Sequence, residues 1–310
     1  MSTQSNPISQ KLHEIKLSEF LKGQEVVTVT ENDTVETVIR LLNKHGIHSC
    51  PVLSESGQCV GVIDMLAIMK HVVAIAPAQE GATPYNLSVA SRAISWKKIG
   101  DLLVEQNVSF IPLEVDEFAN LALDVFGSGV HRSPVLNSEG KVVETVSQSD
   151  FVRWLHNQSE TYLKNMEVWE SRLTDLGLGS SEVVSVRDTD LVINVIRTMS
   201  EQELTAVPIV NENGQLVGNF SATDLKAMCQ ENWPSFFIPV SQYLAEHSPT
   251  SLMSIGMSLD FATLNTALKY FNDYPQHRVW ILENEKPVGV VTHTDILQFV
   301  RNYEYGVTAA

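Results

Sequence analysis

The strongest constraint on the fold is an internal repeat, because four segments of the chain follow one pattern. They begin at Thr34, Glu117, Leu191 and Thr263, with spacings of 83, 74 and 72 residues. In each segment, 17 residues separate the start from the same point of an apolar stretch, at Pro51, Pro134, Pro208 or Trp280. We number the segments copies one to four. Constant spacing within the copies predicts that each forms the same small unit.

Each copy predicts the order strand, helix, strand, strand, helix. In copy one, Val35, Val38, Ile39 and Leu42 recur at helical spacing. Short apolar strands follow, joined by a polar, glycine-containing turn at 54–57 that suits a hairpin. A unit this small buries too little apolar surface to be stable alone, so we expect copy one to pair with two and copy three with four. The expected boundaries are 15–80, 90–157, 179–232 and 240–303, with a connecting helix at 158–178 whose alternative is a solvated linker.

Two pairs of basic residues occupy equivalent positions before the second strand: His131 and Arg132 in copy two, and His277 and Arg278 in copy four. With these pairs, the repeat resembles the CBS (cystathionine beta-synthase) domain family over nearly the whole chain. The resemblance implies an α/β fold in which paired repeats form two Bateman modules in a flat, disc-like assembly. A chain of four such repeats is similar to the gamma subunit of AMP-activated protein kinase. The implied ligands are AMP, ADP or ATP, with no cofactor required.

A second motif lies where the last strand of a copy meets its last helix. There a hydroxyl residue precedes an aspartate by three positions, as Ser147 and Asp150, Ser221 and Asp224, and Thr292 and Asp295. A carboxylate there can accept hydrogen bonds from a ribose, and the helix N-terminus can bind phosphate. The family uses the aspartate in this way, as the resemblance implies. The alternative is a helix cap, since Ser/Thr-x-x-Asp resembles a capping box and an acid suits the positive helix end.

Copies one and two depart from this motif. Copy one has Ala67 in place of the acid, so we expect no ribose there, although Asp64 can still cap the helix. The other copies have a glycine three residues before the hydroxyl position, which would let a ligand approach closely, whereas copy two has Glu144.

The basic pairs suit phosphate, because arginine offers a planar fork of donors and histidine gains charge beside a dianion. We expect copies two and four to bring both pairs to a common axis, as a cationic centre in a chain of net charge −16. The alternative is that these are ordinary surface or core residues. The remaining residues expected to line the nucleotide are Thr205, Ala206, Val184, Ser185, Ile255 and Gly256.

Composition excludes several functions. Acidic residues outnumber basic ones 37 to 21, which disfavours nucleic acid and anionic membrane as partners. No apolar run approaches the roughly 18 residues of a membrane span, and the polar N-terminus predicts no secretory signal. Three cysteines without a C-x-x-C pair predict neither disulfides nor zinc, and a cytoplasmic or nuclear location. No nucleotide-hydrolase, protease or esterase motif is present, so we expect no enzyme activity and no metal.

Three functions remain open. The first is a nucleotide sensor acting as a gamma-like regulatory subunit of an AMP-activated or SNF1-type protein kinase, with kinase catalytic and scaffold subunits as partners. The second is a stand-alone CBS protein that binds adenosine derivatives and regulates another enzyme, and the third is a scaffold with vestigial sites. A homodimer is also open. The apolar stretch 233–237 is interpreted as core packing, with partner docking as its alternative.

Overall fold

The computed structural model describes residues 11–76, 84–107, 110–158, 161, 167–179, 182–227, 230–253, 256–274 and 276–304. Copy one comprises β1 (Val29–Thr30), α1 (Val35–His45), β2 (Ser49–Leu53), β3 (Cys59–Asp64) and α2 (Met65–Ile75). The helices α3 (Pro84–Ser95) and α4 (Ile99–Glu105) follow. Copy two comprises β4 (Leu113–Glu114), α5 (Ala119–Gly127), β5 (Arg132–Leu136), β6 (Val142–Ser147) and α6 (Gln148–Gln158).

Copy three comprises β7 (Val186–Arg187), α7 (Val192–Glu201), β8 (Ala206–Val210) and β9 (Leu216–Ser221). Its last helix is replaced by two 3-10 segments, Ala222–Ala227 and Gln230–Phe237, and α8 (Val240–His247) follows. Copy four comprises β10 (Gly256–Ser258), α9 (Leu264–Asp273), β11 (Arg278–Glu283), β12 (Lys286–Thr292) and α10 (His293–Glu304).

The four copies share one sheet topology, which confirms the predicted repeat. Each forms a three-stranded sheet whose first strand pairs in parallel with the second, and whose second pairs antiparallel with the third. The register of the antiparallel pair shifts at the same point in every copy, between Val52 and Leu53, Val135 and Leu136, Ile209 and Val210, and Ile281 and Leu282. A recurring bulge of this kind is a feature of the unit rather than a local defect.

The first helix of copy one shows why the predicted elements form. The Thr34 hydroxyl accepts a hydrogen bond from the Thr37 amide at the start of α1, and Gly46 ends the helix in the left-handed conformation. The four apolar residues at helical spacing are all buried. The apolar stripe of the sequence therefore faces the core.

The chain divides into two compact units. The first unit comprises Met1–Val26, Phe110–Val183 and Gly256–Ala310, and the second comprises Val27–Ser109 and Val184–Ile255. Each unit therefore groups alternate copies, two with four and one with three, whereas the sequence led us to group neighbouring copies. The apolar faces of the helices explain this grouping: α5 and α6 pack on α10 and α9 in the first unit, and α2 packs on α7 in the second.

The segment predicted as a connecting helix differs from the prediction where it is described. Residues 159, 160 and 162–166 lie outside the described part of the chain. From Glu167 onward there are two short 3-10 segments, Glu167–Glu170 and Thr174–Leu176. The Leu173 amide donates to the Ala262 carbonyl at 2.9 Å, so the backbone pairs with copy four instead of continuing a helix. Trp169 and Leu173 are buried in the core of the first unit.

The fold also bears on the apolar stretch 233–237, on membrane-spanning helices and on the cysteines. Phe236, in the apolar stretch 233–237, is 1% exposed and lies in the core of the second unit, as the core interpretation predicts. No described helix has both the length and the apolar character required to cross a membrane. Cys50 and Cys59 are free thiols, and Cys229 lies outside the described residues.

Candidate functional site

The three motif aspartates all cap their helices. In copies two, three and four, carboxylate Oδ2 accepts hydrogen bonds from the backbone N–H and the hydroxyl of the residue three positions earlier. These distances are 2.9 and 2.7 Å for Asp150, 2.7 and 2.8 Å for Asp224, and 2.7 and 2.7 Å for Asp295. The capping role considered from the sequence is therefore present, and it leaves the second oxygen, Oδ1, for another partner.

The partner of Oδ1 differs between the copies. Asp150 Oδ1 accepts a hydrogen bond from Lys22 Nζ at 2.5 Å. Asp224 Oδ1 accepts one from the Ser251 hydroxyl at 2.6 Å, and its side chain is buried. Asp295 Oδ1 accepts no hydrogen bond from any residue that the structure describes. Within the described part of the chain, Asp295 is therefore the acid of the three whose Oδ1 has no hydrogen-bond donor.

The pKa of Asp150 shows how firmly its charge is held. Burial raises the pKa of this carboxyl, but hydrogen bonds from Lys22 and Ser147 and the charge of Lys22 outweigh that effect and lower it. Arg153 Nη1 is 3.6 Å from the same oxygen, beyond hydrogen-bond length. Lys22 is thus the main partner of this acid.

Copy one has the cap expected from the sequence. Asp64 precedes α2, and its carboxylate accepts the Ala67 amide at 2.8 Å. The methyl group of Ala67 offers no acceptor where the other copies have an acid.

The two basic pairs lie in the same compact unit, because that unit contains copies two and four. In each copy the histidine carbonyl accepts a hydrogen bond from the first residue of the last helix. The Gln148 amide donates to the His131 carbonyl at 3.0 Å, and the His293 amide donates to the His277 carbonyl at 3.2 Å. Each pair is therefore fixed at a helix N-terminus, where the helix dipole favours anions.

The starts of α6 and α10 contact each other symmetrically: the first residue of each helix contacts the second residue of the other. Gln148 Nε2 donates to the Thr294 hydroxyl at 2.9 Å. The Ser149 hydroxyl lies 3.3 Å from His277 Nδ1 and 3.4 Å from His293 Nδ1. These contacts bring the motif residues of copies two and four together.

His293 is the buried centre of this group. Its side chain is 4% exposed, and its ring contacts Phe271 and His277 at centroid distances of 4.6 and 5.3 Å. Its Nε2 atom is buried and has no hydrogen-bond partner among the described residues. Burial, followed by electrostatic interactions with the basic side chains of His277, Arg278, His131 and Arg153, holds the pKa of His293 well below its usual range.

We give the name cationic cluster to the four basic residues that act on His293, together with Arg132, which follows His131 in the sequence: His131, Arg132, Arg153, His277 and Arg278. Because four of them act on one neutral imidazole, their field is concentrated at the junction of α6 and α10. A cluster of this kind at two helix N-termini has the chemistry to bind a phosphate group. The nearby Asp295 carboxylate has the chemistry to accept hydrogen bonds from sugar hydroxyls.

The other predicted ligand residues are divided between the units. Gly256 lies in the first unit, at the start of β10, whereas Ile255 lies outside the described residues. The second unit contains the residues predicted from copy three, namely Val184, Ser185, Thr205, Ala206, Ser221 and Asp224. There the Thr205 carbonyl accepts the Ala222 amide at 3.0 Å, so Thr205 occupies the position of His131 without its charge.

Several residues of the site were missed by sequence reasoning. Ser149 and His293 occupy the variable positions inside the hydroxyl-x-x-aspartate motif. Since the residues on either side of these positions were already assigned to the site, their place within the motif could have indicated that they lie at the same junction. Lys22 and Ser251 are far from their acids in sequence, and nothing local to either residue predicts the contact.

The recurring glycine before the hydroxyl position lies close to other residues of the chain. We expected the glycine to make room for a ligand, but in this structure its close neighbour is the chain itself. A Cβ at Gly61 would lie 2.7 Å from Leu103 Cδ1, and one at Gly218 would lie 3.0 Å from the Ser251 carbonyl oxygen. A Cβ at Gly289 would overlap the Gly179 carbonyl. Each glycine thus admits a crossing segment of its own unit.

Comparison with known proteins agrees with this fold. The family model described as the CBS domain matches residues 20–74, 175–230 and 259–302, which lie on copies one, three and four. The chain therefore belongs to the CBS domain family. Copy two has the same topology but lies outside the matched ranges.

Relatives are found in fungi, and a protein with a similar fold is found in an archaeon. Protein SDS23 of Podospora anserina is 24% identical over 317 residues, covering 96% of this chain and 61% of the relative. Protein SDS24 of Saccharomyces cerevisiae is 24% identical and covers 89% of this chain and 56% of the relative. The chain thus spans about three fifths of the length of these curated relatives. Protein MJ1225 of Methanocaldococcus jannaschii, proposed as an archaeal homologue of g-AMPK, has the same fold, with a TM-score of 0.72. It is 16% identical, and the match covers 92% of this chain and all of that one.

Proposed function

We propose that this chain is a non-catalytic regulatory protein whose first unit binds an adenine nucleotide, with the phosphate at the cationic cluster and the ribose at Asp295. The observation that carries the proposal is the convergence of basic side chains from copies two and four in a chain of net charge −16. Such a concentration of basic groups attracts a phosphate dianion.

Different groups of the site would bind the phosphate and the sugar. The helix N-termini of α6 and α10 add backbone N–H donors to the cationic cluster at one end of the site. Asp295 Oδ1 supplies an acceptor that a pair of sugar hydroxyls can use, while Oδ2 continues to cap α10. Since these groups suit recognition of a phosphate and a sugar, binding rather than turnover is the function that we propose.

Regulation requires that the ligand bind two states of the protein with different affinity. We propose that a partner enzyme reads this difference, and that the chain acts from the cytoplasm or nucleus. The link between MJ1225 and g-AMPK, together with the four-repeat sequence pattern, supports a kinase as that partner. The names of SDS23 and SDS24 identify no kinase subunit, so regulation of another enzyme is the alternative.

The experiment is a thermal unfolding series with AMP, ADP, ATP and adenosine. At 100 times its dissociation constant, a ligand adds about 2.7 kcal/mol to the free energy of unfolding. We expect stabilisation by at least one nucleotide and much less by adenosine, which lacks the phosphate. The double variant His131→Ala and His277→Ala should lose most of the stabilisation, and Arg40→Ala, on the exposed face of α1, controls for the loss of a basic side chain elsewhere.

Absence of stabilisation by every nucleotide would refute the proposal and favour a scaffold with vestigial sites. Stabilisation that is equal for AMP and adenosine would refute the role of the cationic cluster. Purification from the native cell then shows whether a kinase catalytic subunit accompanies the chain.

A further inference from the structure

The segment before copy one contacts copy two at its site acid. Residues 11–23 run along the first unit, and Lys22 at their end contacts Asp150. We propose that this segment, which we call the latch, closes the copy-two site with an internal ammonium group, so that a ligand must displace Lys22 before it can use Asp150. This inference rests on the proposed function, because it specifies which acid of the first unit is available.

Copy four provides the internal comparison. The residues before copy four pair with copy four in the same way as the latch pairs with copy two. An isolated β-bridge joins Lys16 to Phe118, and the equivalent bridge joins Arg172 to Thr263. Counting from these bridges, Lys22 corresponds to Leu178 and Asp150 corresponds to Asp295. An apolar residue therefore stands in copy four where copy two has the ammonium group, and Asp295 Oδ1 remains open within the described chain.

The same count explains the missing glycine of copy two. Glu144 corresponds to Gly289, and its carboxylate accepts the Lys22 amide at 2.9 and 3.0 Å and the Gly23 amide at 3.0 Å. Glu144 is 7% exposed, so these bonds are largely shielded from water. In copy four a glycine admits the crossing backbone, whereas in copy two a buried acid fastens it. The departure from the motif is thus part of the latch.

The rest of the latch is anchored independently of Lys22. Leu12, Ile15 and Leu17 are buried, and the Phe20 ring stacks on the Phe151 ring at a centroid distance of 4.3 Å. The Lys22 side chain, in contrast, is 46% exposed. Its flexible stem can swing into water without undocking the segment, so a ligand can displace the ammonium group while the latch stays bound.

The test counts nucleotides per chain by equilibrium dialysis against saturating AMP. The wild type should bind one AMP per first unit, and Lys22→Met, which keeps the length of the side chain and removes its charge, should bind one more. Adding Asp150→Asn to Lys22→Met should abolish the gain. Lys16→Met is the matched control, because Lys16 is on the same segment but donates to the Asp116 carbonyl.

A second variant loosens the latch without changing Lys22 or Asp150. Glu144→Ala removes the acceptor of the Lys22 and Gly23 amides and should also expose a second site, with weaker gain. Unchanged stoichiometry in Lys22→Met, or an Asp150-dependent second site already present in the wild type, would overturn the latch and leave the proposed function intact. If neither the wild type nor Lys22→Met binds AMP, both proposals fail.

Discussion

The close approach of Gly289 to Gly179 makes a sharp stability prediction for Gly289→Ala. The new methyl group would overlap the Gly179 carbonyl, which is backbone and cannot move aside by a rotamer change. Overpacking of this kind costs about 1–3 kcal/mol, and we expect the upper end, about 3 kcal/mol, because the segment must shift as a whole.

Gly61→Ala is the matched control for this substitution. Its methyl group would meet Leu103 Cδ1 at 2.7 Å, at the flexible end of a side chain, so the expected cost is about 1 kcal/mol. Neither glycine has a positive φ, and both variants gain the same small entropic stabilisation from a stiffer unfolded chain. The difference between them therefore reports the steric effect.

The assay is urea unfolding at neutral pH, followed by hydrogen exchange of peptides from each unit. Gly289→Ala should lower the stability of the first unit, and Gly61→Ala should affect only the second. Equal costs for the two substitutions would refute the inference that the glycine of copy four exists to admit the chain's own backbone.

Three further predictions concern the first unit. His293→Gln gives copy four the residue that copy two has at the equivalent Gln148, and it should flatten the pH dependence of stability. The pKa of His293 is lowered in the folded protein, so only the unfolded chain takes up a proton there as pH falls below about 6.5. In urea titrations the wild type should therefore lose about 1 kcal/mol more than the variant between pH 6.5 and 5.5, and equal losses would contradict this. Lys22→Met should lower the free energy of unfolding by no more than about 1 kcal/mol, because the lysine is half exposed. Since the pKa of Asp150 is lowered in the folded state, this loss should be present at pH 7 and disappear as pH falls below about 4. A loss of the same size at pH 3 would count against the ion pair. Phe20→Ala should lower the free energy of unfolding by about 3 kcal/mol in chemical unfolding, because it removes the ring that stacks on Phe151. Phe118→Ala removes a ring that is 42% exposed and should cost less than about 1 kcal/mol. Similar costs would show that the stacking on Phe151 does not anchor the latch.

The repeated unit was predictable because its signals are local. Apolar residues at helical spacing in α1, glycine-containing turns such as 54–57, and the hydroxyl-x-x-aspartate motif all act within a few residues. Each of these produced the expected element or cap in the structure. The convergence of His131 and His277 was also predictable, because equivalent positions in equivalent copies follow the symmetry of the repeat.

The remaining features depend on contacts between residues distant in sequence. The contact of Lys22 with Asp150 spans 128 residues, and that of Ser251 with Asp224 joins a 3-10 segment to another element of its unit. Local pattern does not specify such contacts. The structure differs from the predicted connecting helix because of a contact of the same kind. The backbone of Leu173 pairs with Ala262, and this pairing competes with helical hydrogen bonds. The grouping of alternate copies likewise follows from which helix faces bury one another, not from their order in the chain.

Calorimetric titration of AMP into the wild type and Asp295→Asn tests the nucleotide site most directly. Asparagine preserves the cap through its side-chain oxygen but removes the charge offered to the ribose, so affinity should fall by about 10- to 100-fold, the equivalent of a charge-assisted hydrogen bond. Asp224→Asn, whose two oxygens are both occupied within the second unit, should leave the affinity of the first unit unchanged. Wild-type affinity in Asp295→Asn would contradict the assignment of the open carboxylate to the ligand.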